Sequence, residues 1–246
     1  MHKIIGAALI VFAAIPAAFA QAPADQKGSM SPLPSDIVTD LAPTGRLRAA
    51  INLGNSVLAQ KDAASGEMRG VTVDLARELA RRAGMPLDLV PFEAAGKVFE
   101  ALKAGAWDIA FLAIEPVRAA EIDFTAPYVL IEGTYMVTAD SPLKTIADVD
   151  RPGVRIAVGR GSAYDLYLTR TIKNATLVRA HIGGGRAMIE LFLADKLEAA
   201  AGVKQPLVAY AKTDPNVRVM DGRFMDIKQA MVLSHDCCAR WAIRCK

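Results

Sequence analysis

Along most of the chain, short hydrophobic runs alternate with segments in which hydrophobic residues recur every three or four positions. Residues 46–51 predict a first strand, and residues 74–83 predict a helix with Leu75, Leu79 and Ala83 on one face. Further strands are predicted at 87–90, 107–112 and 133–138, and a further helix at 97–104. This alternation is typical of βαβ units, in which helices cover a sheet. The pattern therefore predicts an α/β fold.

The same pattern restarts after Pro152 and Gly153. Strands are predicted at 154–158, 177–180, 197–201, 217–220 and 227–233, and helices at 162–173, 187–194 and 205–211. A break near 138–142 separates the two halves, and each half has about 90 residues, within the range of a compact unit. Two α/β lobes fit this organisation better than one barrel.

The N-terminus predicts export. Lys3 precedes an apolar run at 4–15, and the small residues at 18 and 20 form a cleavage pattern, so residues 1–20 are interpreted as a signal peptide. The alternative is an uncleaved membrane anchor, but the run is shorter than the roughly 20 residues needed to span a bilayer. Residues 21–43, rich in Pro, Ser, Ala and Asp, are interpreted as a loose N-terminal arm.

Composition excludes several classes of protein. Of the 246 residues, 52% are hydrophobic, which is enough for a core and argues against disorder. A net charge of +3, without a basic block, gives no indication of nucleic-acid binding. The three cysteines, at 237, 238 and 245, all lie in the last ten residues, so the sequence predicts neither a disulfide framework nor a zinc cluster.

Two segments, 97–110 and 116–128, carry a family pattern: a predicted helix followed by Gly-Ala-Trp-Asp, and then an arginine and Phe-Thr-Ala-Pro-Tyr. The chain there resembles bacterial extracellular solute-binding proteins of family 3, the receptors of amino-acid ABC importers. The resemblance implies a two-lobed periplasmic binding protein-like fold (type II), with two α/β lobes joined by two crossing strands. It implies lobe 1 at 44–137 with an incomplete return segment at 232–246, and lobe 2 at 138–231.

The resemblance also implies a ligand site between the lobes. Arg118 matches the arginine that binds the ligand's carboxylate, and a guanidinium suits a carboxylate because it offers paired donors. Ser162, after Gly161, matches a position where a hydroxyl and helix-start amides meet the same carboxylate. The alternatives are a surface arginine on a short helix and a serine that only caps a helix.

Several positions depart from the family pattern. The residue at the place of the acid that binds the ligand's α-ammonium is Val203, and the corresponding position in lobe 1 is Asn52. Asn55 and Ala95 stand where aromatic residues commonly enclose the ligand, and Ala113 stands where a small hydroxyl residue assists the arginine. A desolvated ammonium group without an acid is costly, so we expect a small organic anion or an unusual amino-acid derivative.

Glu115, beside the arginine, is the best remaining acid. The missing acids therefore argue against an amine ligand, but Glu115 keeps one possible. The family resemblance implies an ABC transporter permease as the partner, a periplasmic location and no cofactor; we also expect a monomer, no metal and no nucleic acid. The alternatives are a cyclohexadienyl dehydratase-like enzyme on the same fold, for which Glu115 is the general-acid candidate, and a non-transport sensor or binding module.

Two further expectations concern the crossing strands and the C-terminus. The hinge is expected near residues 137–138 and 231–234, where the lobes would close around the ligand. The resemblance stops at about residues 234–236, and the cysteine-containing segment 237–246 matches nothing in the family pattern. We therefore expect a truncated or frameshifted C-terminus; a redox or metal role for its cysteines is the alternative.

Overall fold

The computed structural model describes residues 34–181 and 184–234. Within them, ten strands form one mixed sheet in the order β4-β1-β5-β12-β7-β10-β8-β9, with β6 and β11 paired beside this path. The elements of the first half are α1 (Ser35–Leu41), β1 (Leu47–Asn52), β2 (Gln60–Lys61), β3 (Met68–Arg69), α2 (Val71–Ala83), β4 (Leu87–Phe92), α3 (Ala95–Glu100), β5 (Ile109–Ala113), α4 (Pro116–Ala119), β6 (Ile122–Phe124) and β7 (Val129–Thr138).

The second half repeats the arrangement. Its elements are a 3₁₀ turn (Ile146–Val149), β8 (Arg155–Gly159), α5 (Ala163–Thr171), β9 (Thr176–Ala180), α6 (Gly185–Ala194), β10 (Ala199–Val203), α7 (Lys204–Ala211), β11 (Val217–Val219) and β12 (Met225–Ser234). In the first half β1 pairs in parallel with β4 and β5, and in the second β8 pairs in parallel with β9 and β10. The predicted α/β fold with two lobes is confirmed.

Two ten-residue strands, β7 and β12, join the lobes. Their N-terminal halves pair with each other antiparallel, from Met225 opposite Gly133 to Gln229 opposite Val129. The second half of β12 then pairs with β5 in the first lobe, whereas the second half of β7 pairs with β10 in the second. The crossing therefore lies at 129–133 and 225–229.

That position corrects the expected hinge. Residues 137–138 pair with β11 inside the second lobe, and residues 231–233 pair with β5 inside the first. The hinge was expected too far toward the C-terminal end of each strand. The hydrophobic pattern runs along the whole strand and does not show where the strand passes from one lobe to the other.

Hydrophobic clusters cover both faces of the sheet in each lobe. In β1, Ala49 and Ile51 join a cluster with α2, whereas Ala50 joins a cluster on the opposite face with Trp107. In β10 of the second lobe, Ala199 and Ala201 join a cluster on one face, and Ala200 joins a cluster on the opposite face. Successive strand residues point to opposite faces, so a strand between two layers of helices is apolar throughout.

The boundaries of most predicted helices and strands agree closely with the structure. Gly84, with a φ of 65°, ends α2 as predicted. The predicted loose arm at 21–43 is wrong for its last part, because α1 occupies Ser35–Leu41. Val38 and Leu41 pack this short helix against the first lobe's core. Residues 1–33, with the predicted signal peptide, and residues 235–246, with the cysteines, lie outside the described residues.

Candidate functional site

A cavity of about 830 Å³ lies between the two lobes. Strand ends from both lobes line it: Asn52 of β1 and Ala113 of β5 from the first, Gly159 of β8 and Val203 of β10 from the second. Each of these four residues lies at the carboxyl end of its strand. Ligands of open α/β sheets bind outside the carboxyl ends of the strands, so this cavity is the candidate site.

Arg118 is the buried cation of this cavity. It lies on α4 with 1% of its surface exposed. Its Nη1 donates to the carbonyl oxygen of Ala113 at 3.1 Å, and its Nη2 donates to the carbonyl oxygen of Gly161 at 2.8 Å. The guanidinium therefore contacts both lobes. No described residue accepts from its remaining N–H groups, which stay available to a ligand.

Burial lowers the pKa of Arg118 to about 10, and attraction to the nearby Glu115 carboxylate opposes that shift. The side chain is therefore still a cation at neutral pH. A charge removed from water attracts a carboxylate more strongly than the same charge at the surface, because less solvent screens the pair.

The start of α5 faces the same cavity. Ser162 caps this helix as predicted, since its Oγ accepts from the backbone N–H of Asp165 at 3.0 Å. The Ser162 hydroxyl bonds to the phenol of Tyr164, so it must turn from that partner to donate to a ligand. No described residue accepts from the backbone N–H groups of Ala163 and Tyr164, two residues that line the cavity. Backbone N–H groups at the start of a helix are suited to an anion, and these lie on the same cavity as the arginine.

Gly161, predicted as a ligand contact, is placed differently. Its N–H donates to Asp165 at 2.8 Å and its carbonyl oxygen accepts from Arg118, so both of its polar groups are used within the protein. Its φ of +67° is a left-handed conformation that glycine adopts without strain. A Cβ atom here would lie 2.9 Å from the Cα of Gly96 in the other lobe. Gly161 therefore allows the lobes to approach each other.

Four other predicted positions line the cavity, together with Ala95: Asn52, Asn55, Ala113 and Val203. The side-chain oxygen of Asn52 accepts from the N–H of Gly54 at 3.0 Å, and that of Asn55 accepts from the N–H of Val57 at 3.3 Å. Each asparagine therefore has its amide NH₂ group left as a donor, which suits a ligand oxygen better than an ammonium group.

Glu115 lies outside the cavity lining. It is 3% exposed, and its carboxylate accepts from Nη1 of Arg170 at 2.5 Å. It borders a separate, smaller hollow with Tyr167 and Phe224. Glu115, the acid expected beside Arg118, is therefore paired with Arg170 and does not line the ligand space.

The remaining charged residues of the cavity are exposed and lie at its mouth: Glu93, Arg160, Arg186 and Glu190. Arg186 and Glu190 form an ion pair at 2.9 Å. Among the described lining residues, Arg118 is thus the buried charge, and the interior is positive. No group of His, Cys, Asp and Glu that could bind a metal ion occurs in the described part of the chain.

The apolar wall of the cavity and one of its polar residues were not predicted from the sequence. Helices α6 and α7 supply the wall, with Met188, Ile189, Leu193, Pro206 and Leu207. Gln229, on β12, lines the cavity with 6% of its surface exposed. No local signal identifies it, because the pairing of β12 with β5 is what places Gln229, and Ile227 two residues earlier, on the cavity.

Comparisons with known proteins agree with this geometry. The family model for bacterial extracellular solute-binding proteins, family 3, matches residues 55–229. Holo ArgBP of T. maritima is 19% identical, with a TM-score of 0.69 over 82% of this chain and 88% of that one. The arginine-bound protein AbpA of Streptococcus pneumoniae is 18% identical, with a TM-score of 0.67 over 80% and 84%.

A third similar structure is AncCDT-1, an ancestral amino acid-binding protein and precursor of cyclohexadienyl dehydratase. It is 22% identical, with a TM-score of 0.65 over 83% of this chain and 91% of that one. At these identities the likeness establishes the shared fold. Within the described residues, no helix is both long and apolar enough to cross a bilayer.

Proposed function

The chain belongs to the bacterial extracellular solute-binding proteins of family 3, and we propose that it captures a small organic carboxylate without an α-ammonium group for an ABC importer. One observation carries the proposal: Arg118 is a buried cation in a cavity whose described lining contains no buried acid. An α-amino acid would bring an ammonium group into this interior, where no buried acidic side chain of the described lining can pair with it.

In this proposal the ligand's carboxylate binds first to the free N–H groups of Arg118, and the start of α5 then approaches it. The Ser162 hydroxyl and the amides of Ala163 and Tyr164 donate to the same carboxylate. A ligand that contacts both lobes only in the closed state favours closure by that difference in contacts. The bond from Arg118 to the Gly161 carbonyl supports this mechanism, since it links the lobes at the same point.

We propose the hinge at 129–133 and 225–229, where β7 and β12 pair with each other. The first lobe then comprises about residues 44–128 and 230–234, and the second about 134–224. X-ray scattering should show a smaller radius of gyration when ligand is added. Unchanged dimensions at saturating ligand would contradict the closure mechanism.

The cellular setting completes the proposal. The predicted signal peptide at 1–20 supports delivery to the periplasm. There the closed form would present both lobes to a membrane permease, and the receptor would act as a monomer. No cofactor takes part, because binding and closure involve no covalent step.

A dehydratase is the alternative that the similarity to AncCDT-1 raises. That reaction needs a general acid within reach of the substrate. The candidate, Glu115, is paired with Arg170 and lies outside the cavity lining, which favours binding over catalysis. Incubation with prephenate or arogenate tests this: formation of the aromatic product would establish the enzyme, and unchanged substrate supports the receptor.

Isothermal titration tests the proposal as a whole. The purified protein should bind a carboxylate with micromolar affinity and show no comparable affinity for any of the twenty amino acids. Each amino acid is matched to the acid of the same side chain without the amine. Micromolar binding of an ordinary amino acid would overturn the proposal.

A further inference from the structure

We propose that Gln229 binds an oxygen on the carbon next to the ligand's carboxylate, so that the receptor selects 2-hydroxy or 2-oxo carboxylates with an apolar body. This inference rests on the proposed function, because it takes Arg118 as the carboxylate-binding residue. It names the class of ligand that the same cavity would accept.

The orientation of Gln229 follows from its strand. Ile227 and Gln229 both line the cavity, whereas Lys228 between them is exposed. Side chains alternate between the two faces of a strand, so the glutamine projects from β12 into the ligand space. Its backbone is fixed by pairing on both sides, opposite Ala113 and opposite Val129. The position from which the side chain projects is therefore well defined.

No hydrogen bond joins the side-chain amide of Gln229 to another described residue, and this amide opens onto the cavity. Only 6% of its surface is exposed. A side-chain amide that opens onto a cavity can exchange its hydrogen bonds with water for hydrogen bonds with a ligand. Tyr128 and other neighbours use the backbone of this residue, as when the N–H of Tyr128 donates to the Gln229 carbonyl oxygen at 2.9 Å. The side chain is left for a ligand.

The neighbour of Gln229 fixes which part of the ligand it meets. Residues directly opposite on antiparallel strands have Cβ atoms about 4.5–5.5 Å apart, and Gln229 lies opposite Ala113. The carbonyl oxygen of Ala113 accepts from Arg118. The amide is thus beside the carboxylate-binding group, where a substituent on the adjacent carbon would lie.

The chemistry of an amide suits a neutral oxygen at this point. Its NH₂ can donate to a 2-oxo group, and its carbonyl oxygen can accept from a 2-hydroxyl group. An ammonium group could also donate to that carbonyl oxygen, but its charge would lie near Arg118 with no buried acid among the described lining residues. The arrangement therefore discriminates by charge between a hydroxyl and an ammonium group.

The rest of the ligand meets apolar side chains. Met188 and Ile189 from α6 and Pro206 and Leu207 from α7 form the wall of the second lobe. A charged or strongly polar body would lose its hydration there without compensation. A branched aliphatic or aromatic body gains free energy instead, because its apolar surface leaves water.

Titration of two matched series tests this inference. One series has an isobutyl body: 2-hydroxy-4-methylpentanoate, 4-methyl-2-oxopentanoate, 4-methylpentanoate and leucine. The other has a benzyl body: 3-phenyllactate, phenylpyruvate, 3-phenylpropionate and phenylalanine. In the series that binds, the hydroxy and oxo acids should bind roughly tenfold more tightly than the unsubstituted acid, as one buried hydrogen bond implies.

Variants assign the difference to the glutamine. Gln229→Leu should remove the tenfold preference and leave affinity for the unsubstituted acid within about twofold. Gln205→Leu, a change of the same kind at an exposed position on α7, should leave every affinity unchanged. Gln229→Glu supplies an acid and should shift the preference toward the amino acid of the series.

The outcomes separate the two claims. Equal affinity with and without the 2-oxygen, or equal weakening of all members by Gln229→Leu, would overturn this inference and leave the proposed function standing. Failure of every compound in both series to bind would overturn the inference alone, whereas micromolar binding of leucine or phenylalanine would overturn both. If Gln229→Leu does not fold, the wild-type ratios and Gln229→Glu still decide.

Discussion

A backbone contact between the lobes gives the sharpest prediction. Gly54, after β1, and Gly184, before α6, meet across the mouth of the cavity. A Cβ atom at Gly184 would lie 2.3 Å from the carbonyl oxygen and 2.4 Å from the Cα of Gly54. Ordinary contacts of a Cβ atom begin at 3.4 Å, so the backbone at this contact must shift by about 1.1 Å in Gly184→Ala, and we expect the two lobes to move apart there.

The loss of closure has an estimable cost. With the lobes apart, the ligand keeps Arg118 but loses hydrogen bonds from the start of α5. One hydrogen bond to a charged group contributes about 1.5–3 kcal/mol, so Kd should rise about 10- to 150-fold. Gly185→Ala is the control, since a Cβ atom there meets nothing within 4 Å. Titration measures both variants, and X-ray scattering reports whether the bound form compacts. Wild-type affinity and full compaction in Gly184→Ala would refute the reasoning.

Three further predictions concern the charged groups. Arg118→Met should abolish carboxylate binding in titration, with thermal unfolding confirming a folded variant; retained micromolar binding would contradict the assigned role. Because the pKa of Arg118 is about 10, affinity should be constant between pH 6 and 9 and fall as the guanidinium loses its proton above pH 10; a decline beginning near neutral pH would point to another group. Glu115→Gln removes the partner of Arg170, so urea unfolding should show a loss of about 1–3 kcal/mol. Ligand affinity should stay at the wild-type value or rise slightly, because a negative charge near Arg118 is removed; a large loss of affinity would place Glu115 in the site after all.

Local pattern accounts for most of the secondary structure. The strands around Ala50 and Ala200 are hydrophobic on both faces, and the helices between them repeat with a period near 3.6 residues, so their existence can be read from the chain. The short helix α1 was missed because it buries only one edge, through Val38 and Leu41. A seven-residue helix gives too few turns for a periodic signal.

The site was predictable in part. Arg118 and Ser162 occupy the cavity as the family pattern implied, because that pattern records tertiary neighbours that local periodicity does not. The direction of Glu115 could not be read, since it depends on Arg170 of a different helix, 55 residues later. Gln229 needed the pairing register of β12 with β5, which joins residues 116 positions apart, Ala113 and Gln229. Non-local register is what the sequence pattern lacked.

A crystal structure with bound ligand tests the central claim most directly. The protein can be crystallised with the tightest-binding carboxylate, or with a small molecule that copurifies under native conditions. The account predicts a carboxylate within hydrogen-bonding distance of the Arg118 guanidinium and the Ser162 hydroxyl, with the lobes closed over it. A ligand whose ammonium group is held by an acidic side chain, with Arg118 making no contact to it, would contradict the account.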